Sequence, residues 1–299
     1  MEAEFQRWLR AHVPFHASFP LGLADDAAVM RLATRRNMVI TTDLLSDGVD
    51  FRLDDKDLDP QRVGRKALAA SLSDLAAMAA RPLAAVVAIA LPREPGSAEA
   101  LRLAIALYEG LLPLAAEFDV AVAGGDTNTH AGPLVICVAA FGEVTERGPL
   151  TRSGGRPGDQ LLVTGKLGGS RGSHHLDFTP RVREALLLHQ RYELHAGMDI
   201  SDGLALDLSR MAAECGCGAV IDVDRLPLST GALIRQALSD GEDFELLLAA
   251  PPDAADAMLR DQPVACAVTC IGELTAGEGL WQQTQDGQRQ PLIPTGWQH

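Results

Sequence analysis

Residues 23–51 read LADDAAVMRLATRRNMVITTDLLSDGVDF. The acidic pair Asp25–Asp26 precedes an apolar run from Ala27 to Leu32, and a second run starting at Met38 ends in Thr41-Thr42-Asp43. The two runs read as strands flanking a short turn. A turn containing Asp47, Gly48 and Asp50 follows. Carboxylates and hydroxyls at strand ends are hard oxygen donors of the kind Mg²⁺ takes. Acids at such close quarters repel one another unless cations lie between them. The same residues also suit ordinary solvated turns, so this stretch alone leaves both readings open.

The whole chain narrows the choice. Its 299 residues suffice for two domains, and 47% hydrophobic residues supply a substantial core and exclude a disordered chain. A net charge of -14 argues against a nucleic-acid partner gripped through its phosphates. It leaves a phosphorylated substrate possible, because bound metal inverts a local field. The five cysteines, at 137, 215, 217, 266 and 270, show no zinc spacing. Cys137, Cys266 and Cys270 lie in apolar runs and read as buried thiols in a reducing, cytoplasmic setting. Residues 4–12 read as a charged amphipathic helix, not a signal peptide. The apolar region 67–91 is broken by Asp74, Arg81 and Pro82, so no membrane partner is expected.

Residues 61–80 have helical composition. Asp74 is the one charge between Ala67 and Ala80. A lone carboxylate on an apolar helix is costly unless paired or metal-bound. It reads either as the partner of Lys66 or Arg81, or as a site residue. Ser97 is placed to cap the next helix, which runs to about Phe118 with an interruption at Pro113 and carries Tyr108 as a packing residue. A short strand, 119–123, ends in GGDTNTH, whose glycines permit close backbone approach. A strand at 133–144 closes the first half. The Gly-, Pro- and Arg-rich segment 145–159 reads as the connection between halves 1–145 and 146–299. Arg152, beside two glycines in that segment, is either solvated or set to fork onto a phosphate.

In the second half, strands are expected at 160–164, 219–223 and 264–274. Helices are expected from Pro180, after Thr230 and at 252–260. The segment 167–175 reads as a turn, and its two histidines as surface residues. The stretch HAGMDISDGLALDLSRMAAEC (195–215) puts Asp199 just before a helix for which Ser201 or Asp202 is a natural N-cap. A helix N-terminus also attracts anions. Gly241-Glu242-Asp243 turns into an apolar strand, and Trp297 lies near the chain's end. The pattern is that of a mixed α/β (α+β-type) protein.

Taken together, DDAAV (25–29), TTD (41–43), SLSDLAAM (71–78), GGDT (124–127), LTRSG (150–154), MDISDGL (198–204) and SDGEDFEL (239–246) resemble the thiamine-monophosphate kinase family in order and spacing. The resemblance covers nearly the whole chain. It implies two domains: an N-terminal mixed sheet with helices that forms a homodimer interface, and a C-terminal α/β domain completing a cleft. It implies direct transfer of the ATP γ-phosphoryl to thiamine phosphate, giving thiamine diphosphate. That chemistry needs positioning and charge neutralisation, not a protein nucleophile. By resemblance, Asp26, Thr41, Thr42, Asp43, Asp74, Asp126, Asp199 and Asp202 ligate several Mg²⁺. Tyr108, Gly125, Asp126, Arg152 and Ser201 hold ATP, and Asp50, Glu242 and Trp297 meet the thiamine phosphate.

The chain departs from the family pattern at Ala24, where Gly is usual, and at Asp50, where a His facing the substrate is usual. It departs again between Gly169 and Pro180, where the segment is short and Phe178-Thr179 replaces Arg-Pro. The alternatives are a related ATP-dependent phosphotransferase with another acceptor, and a catalytically silent nucleotide binder.

Overall fold

A computed structural model of the chain describes residues 25, 27–30, 37–172, 174–284 and 286–297. The expected N-terminal helix at 4–12, the candidate ligand Asp26 and the end of the first apolar run lie outside the described residues.

The first half runs β1 (Ala28–Met30), β2 (Met38–Ser46), α1 (Pro60–Ala77), β3 (Ala80–Pro92), α2 (Ser97–Glu117), β4 (Ala121–His130) and β5 (Val135–Val144). Among the described residues its sheet has the order β1-β2-β5-β3-β4. Only β3 and β4 pair in parallel, joined by α2 as a crossover. The second half runs β6 (Gln160–Thr164), α3 (His174–Asp177), α4 (Val182–Arg191), β7 (Ala196–Asp199), α5 (Leu204–Cys215) and β8 (Gly218–Asp222). It continues with α6 (Ile234–Ser239), β9 (Leu246–Ala250), α7 (Pro252–Asp261), β10 (Val268–Thr275), β11 (Leu280–Gln283) and β12 (Arg289–Pro291). Its described strands form one sheet, β12-β11-β8-β10-β6-β9-β7.

Helix α1 holds the two halves together. Its Ala- and Leu-rich sequence buries residues around its whole circumference, including Val63, Leu68, Leu72 and Leu75, as expected of a helix enclosed on all sides. Asp59 caps it by accepting the Gln61 N–H at 2.9 Å, and Pro60 fills the first turn. One side of α1 lies on β2, β5 and β3; other sides meet α2, α3, α4 and the edge strand β7 of the second sheet. One apolar core therefore runs from Val39 and Val138, through Leu68 and Leu72, to Phe178, Val182, Leu188 and Leu248. A second core fills the space between the second sheet, α5 and α6.

Helices α1 and α2 touch backbone to backbone. A Cβ on Gly64 would stand 1.8 Å from the Leu107 carbonyl oxygen, and one on Gly110 would stand 1.7 Å from that of Gln61.

Several local expectations are corrected. Ser97 does not cap α2: Gly96 is the N-cap, at φ 142, which side-chain-bearing residues rarely adopt, and Ser97 is the first helical residue. Pro113 does not interrupt α2, which continues to Glu117; a proline costs one backbone bond, and packing on α1 holds the rest. Strand β4 does not end at GGDTNTH but includes it, because the glycines let that segment pair with β3. Cys270 is buried, whereas Cys137 and Cys266 are half-buried. The segment 167–175 contains a 3-10 turn at Ser170–Gly172 and the start of α3.

The Gly64→Ala variant is expected to unfold at a lower temperature, with a loss of about 1–3 kcal/mol, because its new methyl meets backbone that cannot rotate away. Thermal denaturation of the variant against the wild type measures this.

Candidate active site

The SLSD turn of α1 gathers side chains from two strands and a backbone carbonyl from a third. Ser71 Oγ donates to Asp43 Oδ2 of β2 at 2.8 Å and to the Val138 carbonyl of β5 at 3.0 Å. Ser73 Oγ donates to Asp199 Oδ2, at the end of β7, at 2.6 Å. Asp74 accepts a hydrogen bond from the Thr41 hydroxyl of β2. Period-two alternation points Thr41 and Asp43 of β2 toward α1, and helical spacing presents Ser71 and Asp74 to them. Asp74 thus pairs with a hydroxyl, and Lys66 turns elsewhere.

Beside this turn a cleft of about 760 Å³ opens between the halves, lined by Asp43, Asp50, His175, Ser201, Asp202, Glu242 and Trp297. Its second wall consists of two neighbouring motifs. Ile200 and Phe244 exchange backbone bonds with the facing chain, and the Glu242 N–H donates to the Ser201 carbonyl at 2.6 Å. Glu242 and Phe244 hold left-handed backbone, at φ 56 and φ 49, a costly conformation that persists where the surroundings enforce it. Phe244 stacks on Phe178, ring centroids 4.0 Å apart. The Trp297 N–H donates to the Asp202 carbonyl at 2.8 Å, so the chain's end docks on the cleft rim.

Neither Ser201 nor Asp202 caps α5; its N-cap is Gly203. The turn is held by Asp207, which accepts the N–H groups of Asp202 and Gly203 at 2.9 and 3.1 Å. Arg210 bridges Asp202 and Asp207. Burial, then the Asp202 charge, pushes the Asp207 carboxyl up to about 7, against the pull of Arg210 and Arg152. Arg152 therefore lies within electrostatic reach of this group, and its backbone N–H donates to Asp25 at 2.8 Å.

Four candidates stand apart within one chain. Thr42 and Asp126 share the sheet face turned away from α1: the Thr42 hydroxyl meets Cys137 Sγ at 3.3 Å, and Asp126 pairs with Ala88 on the exposed edge strand β4. Tyr108 is half-buried on α2 against the core and does not line the cleft. Gly125 has a structural reason of its own, since a Cβ there would stand 1.8 Å from the Val87 carbonyl oxygen.

Lys66, Ser71, Ser73, His175, Asp207 and Arg210 escaped the sequence reading as site residues. Lys66 is fully buried; its ammonium pairs with Glu242 and donates to the Asp50 carbonyl at 3.0 Å. Its one sequence signal was a cation opening the apolar run KALAASLSDLAAMAA, masked by Arg65 just before it. Asp50 turns its carboxylate inward, onto the Ser46 N–H at 2.7 Å.

Among the described residues no three His, Cys, Asp or Glu side chains form a ready-made metal centre. The donor set nonetheless fits a hard cation. It consists of oxygens alone, and burial pushes the Asp43 carboxyl up to about 6, with the Asp50 charge adding to the rise. A carboxylate held at that cost without a neighbouring cation favours one that arrives.

Two family models match the chain: AIR synthase related protein, N-terminal domain, over residues 24–144, and AIR synthase related protein, C-terminal domain, over residues 156–281. The fold is that of this class. The thiamine-monophosphate kinase of Rhodopirellula baltica is 37% identical, covering 100% of this chain and 97% of its own. That of Escherichia coli K12 is 34% identical over 93% and 91%. A solved structure described as AaThiL complexed with AMPPCP and TMP superposes with a TM-score of 0.81 at 27% identity, covering 100% of this chain and 95% of the other. The chain belongs to the thiamine-monophosphate kinase family.

Because the folded value of Asp43 lies above its unfolded value of 3.8, the folded state binds the proton more tightly. Stability from this group is present at low pH and falls as pH rises through about 6. Without Mg²⁺, Asp43→Asn is expected to be more stable than wild type at pH 7.5 by about 1–2 kcal/mol after allowance for solvent screening. The difference is expected to vanish below pH 4. Melting curves across that range check it.

Proposed function

We propose that this chain transfers the γ-phosphoryl group of ATP to the phosphate of thiamine phosphate. The reading is carried by one observation: Thr41, Asp43, Asp74 and Asp199, from both halves of the chain, meet on one turn of α1 beside the cleft. The family membership stated above supports the same reaction.

In this reading an oxygen of the acceptor phosphate attacks the γ-phosphorus. A P–O bond forms while the bond to the β–γ bridging oxygen breaks, and ADP leaves with that electron pair. Such a transfer depends on in-line positioning and on neutralising two polyanions. Thr41, Thr42, Asp43, Asp74, Asp126, Asp199 and Asp202 would hold Mg²⁺, with Asp26 completing the set. Mg²⁺ bound there supplies the positive charge that lets the phosphates approach.

Arg152 and Ser201 hold the nucleotide beside the start of α5, and Gly125, Asp126 and Tyr108, which stand apart from them within one chain, would complete that pocket from a second copy. Glu242 and Trp297 receive the thiamine moiety, by hydrogen bonding and by packing. Asp50, at the position of the family's usual His, spends its carboxylate on its own turn. The carboxylate keeps its charge there, so a cation is needed between it and an acceptor phosphate.

The protein works as a homodimer in this proposal, its first domain ending at residue 145 and its second beginning at 146. Support comes from the sheet face opposite α1, where Ile40, Leu44, Val86, Ala88, Ala139 and Phe141 stand half-buried or exposed. A second copy would cover that face and the exposed strand β4 with its Gly125 and Asp126. The five free cysteines suit the reducing cytoplasm, and no described helix is long and apolar enough to cross a membrane.

Incubation with ATP, Mg²⁺ and thiamine phosphate is expected to yield thiamine diphosphate and ADP in equal amounts; ATP binding without product would sink the reading. Asp126→Ala, an exposed change, is expected to lower kcat about 100-fold or more with an unchanged melting temperature. Ala88→Glu, in the middle of the open sheet face, is expected to sediment as a monomer where the wild type sediments as a dimer.

A further inference from the structure

Lys66 has no accessible surface, and a lysine at that depth is costly unless its charge is matched. Both observed partners come from the cleft walls. One is the carboxylate of Glu242, on the left-handed loop of the second half; the other is the carbonyl of Asp50, in the turn after β2. The Glu242 side chain remains a quarter exposed and lines the cleft. His175 lies within electrostatic reach of the same pair: burial first, and then the Lys66 charge, hold its imidazole below the ordinary value. Lys66 cannot touch an occupant of the cleft except through these two partners.

We propose that Lys66 is a positioning residue for the acceptor: it fixes the Glu242 carboxylate and the turn carrying Asp50 in one geometry, so that the heteroaromatic part of the acceptor meets a preset anion. This rests on the acceptor reading given above. A carboxylate left to itself on a strained loop would sample several rotamers, and holding it in advance removes that ordering cost from binding. ATP, held beside Arg152 and the start of α5, makes no use of the pair.

The test compares steady-state kinetics and melting temperatures of the wild type, Lys66→Met, Glu242→Gln and the double variant. Lys66→Met keeps the length and apolar packing of the side chain while removing its charge. It is expected to raise KM for thiamine phosphate tenfold or more and to leave KM for ATP within twofold. The double variant is expected to match Glu242→Gln within twofold, because Lys66 acts through its partner. Should Lys66→Met fail to fold, the double variant, neutral on both sides, carries the comparison with Glu242→Gln. Equal rises in both KM values, or losses that multiply in the double variant, would overturn the inference while wild-type turnover leaves the acceptor reading intact. Absence of wild-type turnover would overturn both.

Discussion

The hydrogen bond from Ser73 to Asp199 joins the end of β7 to a helix that belongs to the other half of the chain. It lies in an otherwise apolar seam, where an unpaired carboxylate would be untenable. Two residues before it, Ser71 holds Asp43; one residue after it, Asp74 holds Thr41. Three positions on one turn of α1 thus set the separation of the two sheets and the placement of the acids. The cleft has its shape because this turn cannot shift without breaking several bonds at once.

Much of the fold was legible in the sequence, because alternation and helical spacing are local signals. The runs MVI, VICVAAF and QLLVT gave their strands. The Ala- and Leu-rich stretch before Pro82 gave α1. Failures came where a local rule met a competing one. Ser97 and Ser201 are good capping residues, yet Gly96 and Gly203 take the N-cap positions because the chain enters each helix through backbone that glycine adopts best. GGDTNTH looks like a loop by composition and is a strand by pairing.

The acids of the site were legible as a set only through their order along the chain. Their individual partners were not. Asp74 lies 33 positions from Thr41, and Lys66 lies 176 from Glu242; nothing in either segment marks the other. A buried lysine is read from sequence as a solvated one unless its neighbours are all apolar, and here Arg65 precedes it. Asp207 was hidden for a different reason: it serves the backbone of the turn before it, a task that many aspartates perform.

The apolar core that passes from Val39 through α1 to Leu248 bears on how such a molecule can be divided. Severing the chain at the connection after β5 would strip α1 of the Phe178, Val182 and Leu188 contacts that enclose it. It would also leave β7 facing water along its buried length. The second half would keep the core beneath α5 and α6, while the core around α1 would lie open. The two sheets thus share the core built around α1, and that shared packing is what a separated first half would lose.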